Sequence, residues 1–134
     1  MKDFHFDAIS AFENYEIEQM RDGHVVVTTK IVDSSLNYYG NAHGGYLFTL
    51  CDQISGLAVI SLGLDGVTLQ SSINYLKAGK LDDVLTIKGE CVHHGRTTCV
   101  VDVDITNQEG RNVCKATFTM FVTGQRSEDR QVRI

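Results

Sequence analysis

The chain has 134 residues, of which 43% are apolar, and its formal net charge at pH 7 is −5. The length predicts a single domain, residues 1–134, with a core so small that association with further copies would stabilise it. The acidic charge argues against nucleic acid as the main partner, although a few local cations are still able to hold an anionic ligand.

The first predicted elements are a short helix and two strands. The spacing of apolar residues over 6–12 favours the short helix. Residues 15–20 and 25–32 have strand character, and the dipeptide Asp22-Gly23 between them is typical of a two-residue hairpin turn. We therefore expect an antiparallel pair of strands near the amino terminus.

Two adjacent glycines, Gly44 and Gly45, stand at the start of a long apolar segment. Glycine allows a sharp entry into a helix and a close approach of another group. The first amides of a helix are unpaired donors at the positive end of its dipole. We therefore predict that the N–H groups of these glycines face an anion or a developing oxyanion.

The apolar segment is predicted to form a helix from about residue 45 to residue 62, with Gly63 as its stop. It is apolar nearly all round, which is typical of a buried helix, and it is too short and too polar in places to span a membrane. Spacings of four, three and four place small or polar residues on one stripe: Gly45, Thr49, Asp52 and Gly56.

Asp52 is the one charged residue of this segment. A carboxylate is costly to bury unless another group pairs with it or the site uses it. Asp52 is therefore either satisfied by a neighbouring donor or part of a functional site, and the glycine entry seven residues earlier favours the functional interpretation.

Four further segments have strand character: 67–76, 84–93, 97–106 and 113–123. Turns at His94-Gly95 and Glu109-Gly110 indicate that the last three form a meander. Together these elements predict an α+β architecture, in which an antiparallel sheet wraps around one long central helix. The sheet covers only one side of the helix, so we expect a second copy of the chain to complete the burial.

No metal, cofactor or disulfide is expected. His93 and His94 are adjacent in a strand and would point to opposite faces. The amino terminus shows no signal-peptide pattern. The four cysteines lie in apolar runs without close paired spacing: Cys51, Cys91, Cys99 and Cys114. This pattern indicates reduced thiols in the core of a cytoplasmic protein.

The residues around the helix start resemble the motif of a known family. Six positions match the pattern Asn-x-x-Gly-x-x-His-Gly-Gly…Asp: Asn37, Gly40, His43, Gly44, Gly45 and Asp52. This motif, with a long apolar helix before a meandering sheet, resembles the hotdog fold of the PaaI-like acyl-CoA thioesterases. The resemblance continues at Gly66-Val67-Thr68, Ile73-Asn74-Tyr75 and Gly95-Arg96-Thr97.

The resemblance implies hydrolysis of an acyl-CoA thioester to a free acid and CoA. It implies that Asp52 is the nucleophile or general base and that the Gly45 amide polarises the thioester carbonyl. Asn37 would orient the water or the thioester, Thr68 would help to place water, and His43 would have a more structural role.

The same resemblance, with the local charges, indicates which residues bind the substrate. Gly44 lies at the helix start, and Gly95 and Thr97 flank Arg96 in a turn. The phosphates of CoA require cations, for which Arg96 is the first candidate and Lys77 another. The alternative is that these cations are solvated surface charges.

Helix geometry adds a constraint on the site. Gly45 and Asp52 are seven residues apart, hence about 10 Å along one helix. A carbonyl held at Gly45 therefore cannot also lie ~3 Å from Asp52 of the same chain. Two antiparallel helices across a twofold axis would provide two equivalent sites. The resemblance likewise implies a homodimer or homotetramer with active sites at the dimer interface.

Three alternative functions remain open on the sequence. A hotdog dehydratase or hydratase would need a paired histidine and acid, for which His43 is the candidate histidine. A non-catalytic protein would bind acyl-CoA with the same fold. In a structural or adaptor protein, Asp52 would merely be satisfied.

Overall fold

The computed structural model describes residues 4–126 and consists of one helix against a six-stranded antiparallel sheet. The elements in chain order are β1 (Glu16–Arg21), β2 (His24–Lys30), a 3-10 turn (Asp33–Ser35), α1 (Gly44–Ser61), β3 (Leu64–Tyr75), β4 (Val84–His94), β5 (Thr98–Thr106) and β6 (Asn112–Gln125). The strand order is β1-β2-β4-β5-β6-β3. The predicted α+β class, the hotdog arrangement and the β4-β5-β6 meander are thus confirmed.

The β1–β2 hairpin forms at the predicted turn. Asp22 and Gly23 both have positive φ, at 51° and 85°. This is the backbone that a tight two-residue hairpin requires, because its twist matches that of the flanking strands. Arg21 pairs with His24 directly across the turn.

The helix predicted over residues 6–12 is wrong, because this segment is irregular. Phe6 and Ile9 are exposed, whereas Ala11 and Phe12 at the end of the segment pack against the core. Phe12 packs on the core with a φ of 53°, which a helix does not allow. Contacts with the rest of the chain therefore decide the conformation here, not the local spacing of apolar residues.

Helix α1 lies in the concave face of the sheet. It ends where Gly63 adopts a φ of 79°, as predicted. Alternating residues of β4, β5 and β6 are buried against it, and Cys91 and Val122 at the ends of this pattern are half-buried. Both the helix and the sheet contribute fully buried residues to this core. They include Leu50, Ile54 and Ala58 of α1 and Ile87, Val101 and Phe118 of the strands.

Strand β3 is one of the two edge strands of the sheet, and β1 is the other. Strand β3 pairs with β6 on one side, and none of its residues is buried. Val67 and Leu69 are 56% and 63% exposed, an unusual fraction for apolar residues of a long strand. No helix within residues 4–126 is long and apolar enough to cross a membrane.

Candidate active site

The start of helix α1 is capped by His43. His43 has an extended backbone, and its Nδ1 accepts a hydrogen bond from the Gly45 N–H at 3.0 Å. Its carbonyl accepts from the Leu47 N–H, also at 3.0 Å, which closes the first helical turn. Gly45 itself is exposed. The amide predicted to polarise a carbonyl is therefore accessible, and a ligand oxygen must share it with His43 or replace His43 as its acceptor.

Asn37 fixes the loop that leads into this helix. Its Oδ1 accepts from the backbone N–H groups of Tyr39 and Asn41, both at 3.0 Å. The Asn37 N–H also donates to the Asn41 carbonyl at 2.7 Å. The side-chain oxygen is thus used by the loop, and its NH₂ group is the part of Asn37 that remains able to donate to water or a thioester.

Tyr75 reaches the same helix start from strand β3. Its hydroxyl donates to the Gly44 carbonyl at 3.0 Å, and its ring lies against the space where a side chain at position 44 would be. Desolvation raises the pKa of Tyr75, so it is a protonated donor at neutral pH. Sequence reasoning missed this role, because the contact joins residues 31 positions apart and no local pattern indicates it.

Asp52 lies two turns further along α1, on the side that faces β3. The Thr68 hydroxyl donates to its Oδ1 at 2.7 Å, and the same hydroxyl lies 3.5 Å from the Met120 sulfur. Asp52 is half-buried. One side-chain donor therefore orients the carboxylate, while the rest of the group remains reachable for a substrate or a water molecule.

The candidate residues form two groups in one chain. Asn37, His43, Gly44 and Gly45 gather at the start of α1, whereas Asp52 and Thr68 lie together about 10 Å along the helix. The structure therefore brings each group together but does not join the two groups within a single chain.

The residues predicted to bind CoA are separated in the same way. Lys77 follows β3 and donates its N–H to the Val113 carbonyl at 3.2 Å, close to Tyr75 and the helix start. It is exposed. Lys77 thus belongs to the end of the molecule that carries Gly45.

Gly95, Arg96 and Thr97 form the turn between β4 and β5, at the other end. The Gly95 N–H donates to the Thr98 carbonyl at 2.8 Å, and Arg96 is exposed. The Thr97 carbonyl accepts a hydrogen bond from the Val122 N–H. Val122 pairs with Gly66, and Gly66 lies beside the last turns of α1. Arg96 therefore lies near the helix end and Lys77 near its start.

An apolar cavity of about 470 Å³ lies between α1 and the β1–β2 hairpin. Gln53 lines this cavity, and its Oε1 is buried without a hydrogen-bond partner among the described residues. The lining residues are Ala11, Phe12, Tyr15, Ile17, Met20, Val27, Gln53, Ile54, Leu57, Ile60 and Arg126.

The cysteines form no disulfide, and the titration of two of them argues against a thiol nucleophile. All four are free. A hydrogen bond with Cys114 and burial raise the pKa of Cys51, and burial beside Cys91 raises the pKa of Cys99 to about 11. Within residues 4–126, no group of three His, Cys, Asp or Glu side chains is arranged to hold a metal ion.

A family model described as the thioesterase superfamily matches residues 39–114, the segment that contains α1 and strands β3, β4 and β5. The acyl-coenzyme A thioesterase PaaI of Escherichia coli strain K12 is 35% identical over 107 residues, which are 80% of this chain and 76% of that protein.

Two solved structures from streptococci are similar to this chain. A hypothetical thioesterase protein of Streptococcus pneumoniae TIGR4, solved with coenzyme A, is 95% identical, with a TM-score of 0.91 over 92% of this chain and 100% of that chain. A Streptococcus mutans UA159 protein bound to acetyl CoA is 66% identical, with a TM-score of 0.85 over 92% of this chain and 100% of that chain.

Proposed function

Because the chain belongs to the thioesterase superfamily, among the PaaI-like acyl-CoA thioesterases, we propose that it hydrolyses an acyl-CoA thioester with Asp52 as the reacting carboxylate. The single observation that carries this mechanism is the half-buried Asp52, oriented by the Thr68 hydroxyl at 2.7 Å. It is the one charged side chain of the helix, and a partly buried carboxylate is costly unless the site uses it.

The reaction would proceed by one of two routes that use the same residues. Asp52 attacks the thioester carbonyl carbon and expels the CoA thiolate, and water then hydrolyses the resulting anhydride. Alternatively, Asp52 takes a proton from a water molecule that attacks the carbonyl carbon directly. In both routes negative charge develops on the carbonyl oxygen, which the exposed Gly45 N–H at the positive helix end would stabilise.

The active unit would be a dimer in which each site takes Gly45 from one chain and Asp52 from the other. The separation of these residues along α1 supports this arrangement, because one carbonyl cannot reach both within a chain. The positions of Lys77 and Arg96 support it as well. Two antiparallel helices with Gly45 of one opposite Asp52 of the other would place Lys77 of the first chain and Arg96 of the second on the same side of the shared site.

Strand β3 supplies the surface for this dimer. Within residues 4–126 it has no strand partner along one edge, and it carries exposed Val67 and Leu69, a combination that favours pairing with another strand. Asp52 and Thr68 both lie at this side of the molecule. A second β3 placed along the edge would cover the apolar residues and bring the partner chain close to the carboxylate.

The direct test is a hydrolysis screen with aryl and aliphatic CoA thioesters, scored by release of free thiol. Asp52→Ala and Asp52→Asn should each lower turnover by at least about 10²-fold, the scale of a lost general base, with the fold retained. Near wild-type turnover in folded Asp52→Ala would disprove the mechanism. Acyl-CoA binding without hydrolysis by the wild type would instead identify a non-catalytic acyl-CoA-binding protein.

A further inference from the structure

Gly44 and Gly45 share one peptide group, and side chains hold it from both sides. The Tyr75 hydroxyl donates to its carbonyl oxygen at 3.0 Å, and the His43 Nδ1 accepts from its N–H at 3.0 Å. A peptide group is planar, so a hydrogen bond that fixes the carbonyl also fixes the direction of the N–H. Two glycines in the first turn would otherwise leave this peptide group unusually free to tilt.

We propose that Tyr75 is a positioning residue for catalysis, which aims and polarises the Gly45 N–H through the Gly44 carbonyl. This inference rests on the proposed function, in which that N–H stabilises the thioester oxygen. It adds a residue of β3 to an oxyanion site whose glycines belong to α1.

The physical basis is cooperative polarisation. A donor at a peptide carbonyl draws electron density through the conjugated bond and makes the N–H of the same peptide group a stronger donor. The carbonyl oxygen has two lone pairs, so the Tyr75 bond adds to the bonding within the helix. A stronger N–H contributes most when the carbonyl oxygen becomes negative, in the transition state.

The packing of Tyr75 separates this role from a simple structural one. The ring lies at van der Waals distance from Gly44, with Cζ 3.5 Å from the position of a Cβ there. The side chain is half exposed, so the protein loses little buried area if only the hydroxyl is removed. Tyr75→Phe therefore keeps the ring contact and removes the donor alone.

The kinetic test compares Tyr75→Phe with Tyr39→Phe, a matched control at a side chain that is 81% exposed and has no hydroxyl contact among the described residues. Tyr75→Phe should lower kcat about three- to tenfold with KM unchanged, since the bond acts mainly on the transition state. Tyr39→Phe should leave kcat within about twofold. An unchanged kcat in Tyr75→Phe overturns the proposal.

A spectroscopic test reads the peptide group directly. Gly44-Gly45 is the one pair of adjacent glycines in the sequence. Glycine labelled with ¹³C at the carbonyl and with ¹⁵N therefore gives a single carbonyl–amide correlation in the HNCO spectrum. In Tyr75→Phe, both the Gly44 carbonyl ¹³C and the Gly45 ¹⁵N resonances should move upfield, whereas Tyr39→Phe should leave them in place.

The possible outcomes are distinct. An upfield shift together with a lower kcat supports the positioning role, and an unchanged carbonyl resonance in Tyr75→Phe overturns it whatever the rates. A wild-type protein that hydrolyses no acyl-CoA would refute the proposed function, and the positioning role with it. That failure is visible without any variant, whereas failure of the Tyr75 proposal alone requires an active wild type.

Discussion

The Thr68 hydroxyl and the Asp52 carboxylate are joined by a 2.7 Å hydrogen bond between strand β3 and helix α1. The bond gives the carboxylate a fixed direction, because Thr68 is held by the β3–β6 ladder opposite Met120. Asp52 therefore depends on the sheet for its orientation, although it lies on the helix.

Removing the Thr68 donor should weaken catalysis less than removing the carboxylate. Thr68→Val keeps the shape of the side chain but leaves Asp52 without its oriented partner, so we expect kcat to fall about tenfold, the scale of a hydrogen bond to a charged group. Thr68→Ser retains the hydroxyl and should stay within about threefold of wild type. Steady-state rates of the two variants provide the comparison, and equal rates would exclude this role for Thr68.

His43 should act as a helix cap and not as a catalytic base. His43→Asn offers a side-chain oxygen to the Gly45 N–H, whereas His43→Ala removes the acceptor and should cost about 1 kcal/mol of folding stability. We expect His43→Asn to retain at least about a third of wild-type turnover. A loss of ~10²-fold or more in folded His43→Asn would instead support the dehydratase or hydratase alternative, which needs a catalytic histidine.

The sequence predicted those parts of the fold that periodicity and turn chemistry determine. The bounds of α1, the stop at Gly63 and the Asp22-Gly23 turn follow from local preferences that the tertiary structure does not oppose. The helix predicted over 6–12 is wrong because Phe6 and Ile9 stay exposed, whereas Ala11 and Phe12 reach the core through a backbone with a φ of 53° at Phe12. Local rules could not supply that information.

The site was predictable as residue types but not as contacts. Asp52 and Thr68 followed from the family motif, and their hydrogen bond is consistent with the expected roles. The cap formed by His43 was not foreseen, since histidine is not among the preferred residues at a helix start. The bond from Tyr75 to Gly44 depends on the path of β3, which no spacing in the sequence encodes.

Arg96→Ala should weaken binding of acyl-CoA and reduce its dependence on salt, because an exposed cation in the β4–β5 turn would lose its phosphate contact. The contact would be similar in the ground and transition states, so KM should rise while kcat stays constant. Arg111→Ala is the matched control, since Arg111 is also an exposed arginine near a turn and lies 3.7 Å from Glu109. A fall in kcat alone would show that Arg96 is not a phosphate anchor.

Tyr46 should make the protein less stable at alkaline pH. Burial raises its pKa from 10 to about 12, so the folded state keeps a proton that the unfolded state releases between these values. The stability that the protonated Tyr46 hydroxyl contributes to the folded state is complete below pH ~10. As pH rises from there towards ~12, the free energy of unfolding falls by about 1.4 kcal/mol per pH unit. Denaturant unfolding at pH 8 to 11 should show a shallower decline in Tyr46→Phe than in wild type. Parallel declines would contradict the assignment, since the buried thiols contribute equally to both proteins.

The shared site predicts that two defective chains restore activity when they are mixed. Asp52→Ala removes the carboxylate. Asn37→Asp removes the NH₂ donor of Asn37, but the new carboxylate can still accept from the two loop N–H groups that Asn37 binds in the wild type. Each variant alone should be nearly inactive. In a mixed dimer, one site receives both defects and the other receives neither.

Random pairing makes about half of the dimers mixed, and half of their sites are intact, so roughly a quarter of wild-type activity should return after co-refolding. Subunit exchange is verified by mass spectrometry of differently tagged chains, and wild type refolded with Asp52→Ala serves as the control for refolding yield. If both residues of a site came from one chain, every site would keep one defect and mixing would restore nothing. Activity that stays at the level of the separate variants, despite verified exchange, would therefore refute the shared site, as would a fully active monomer.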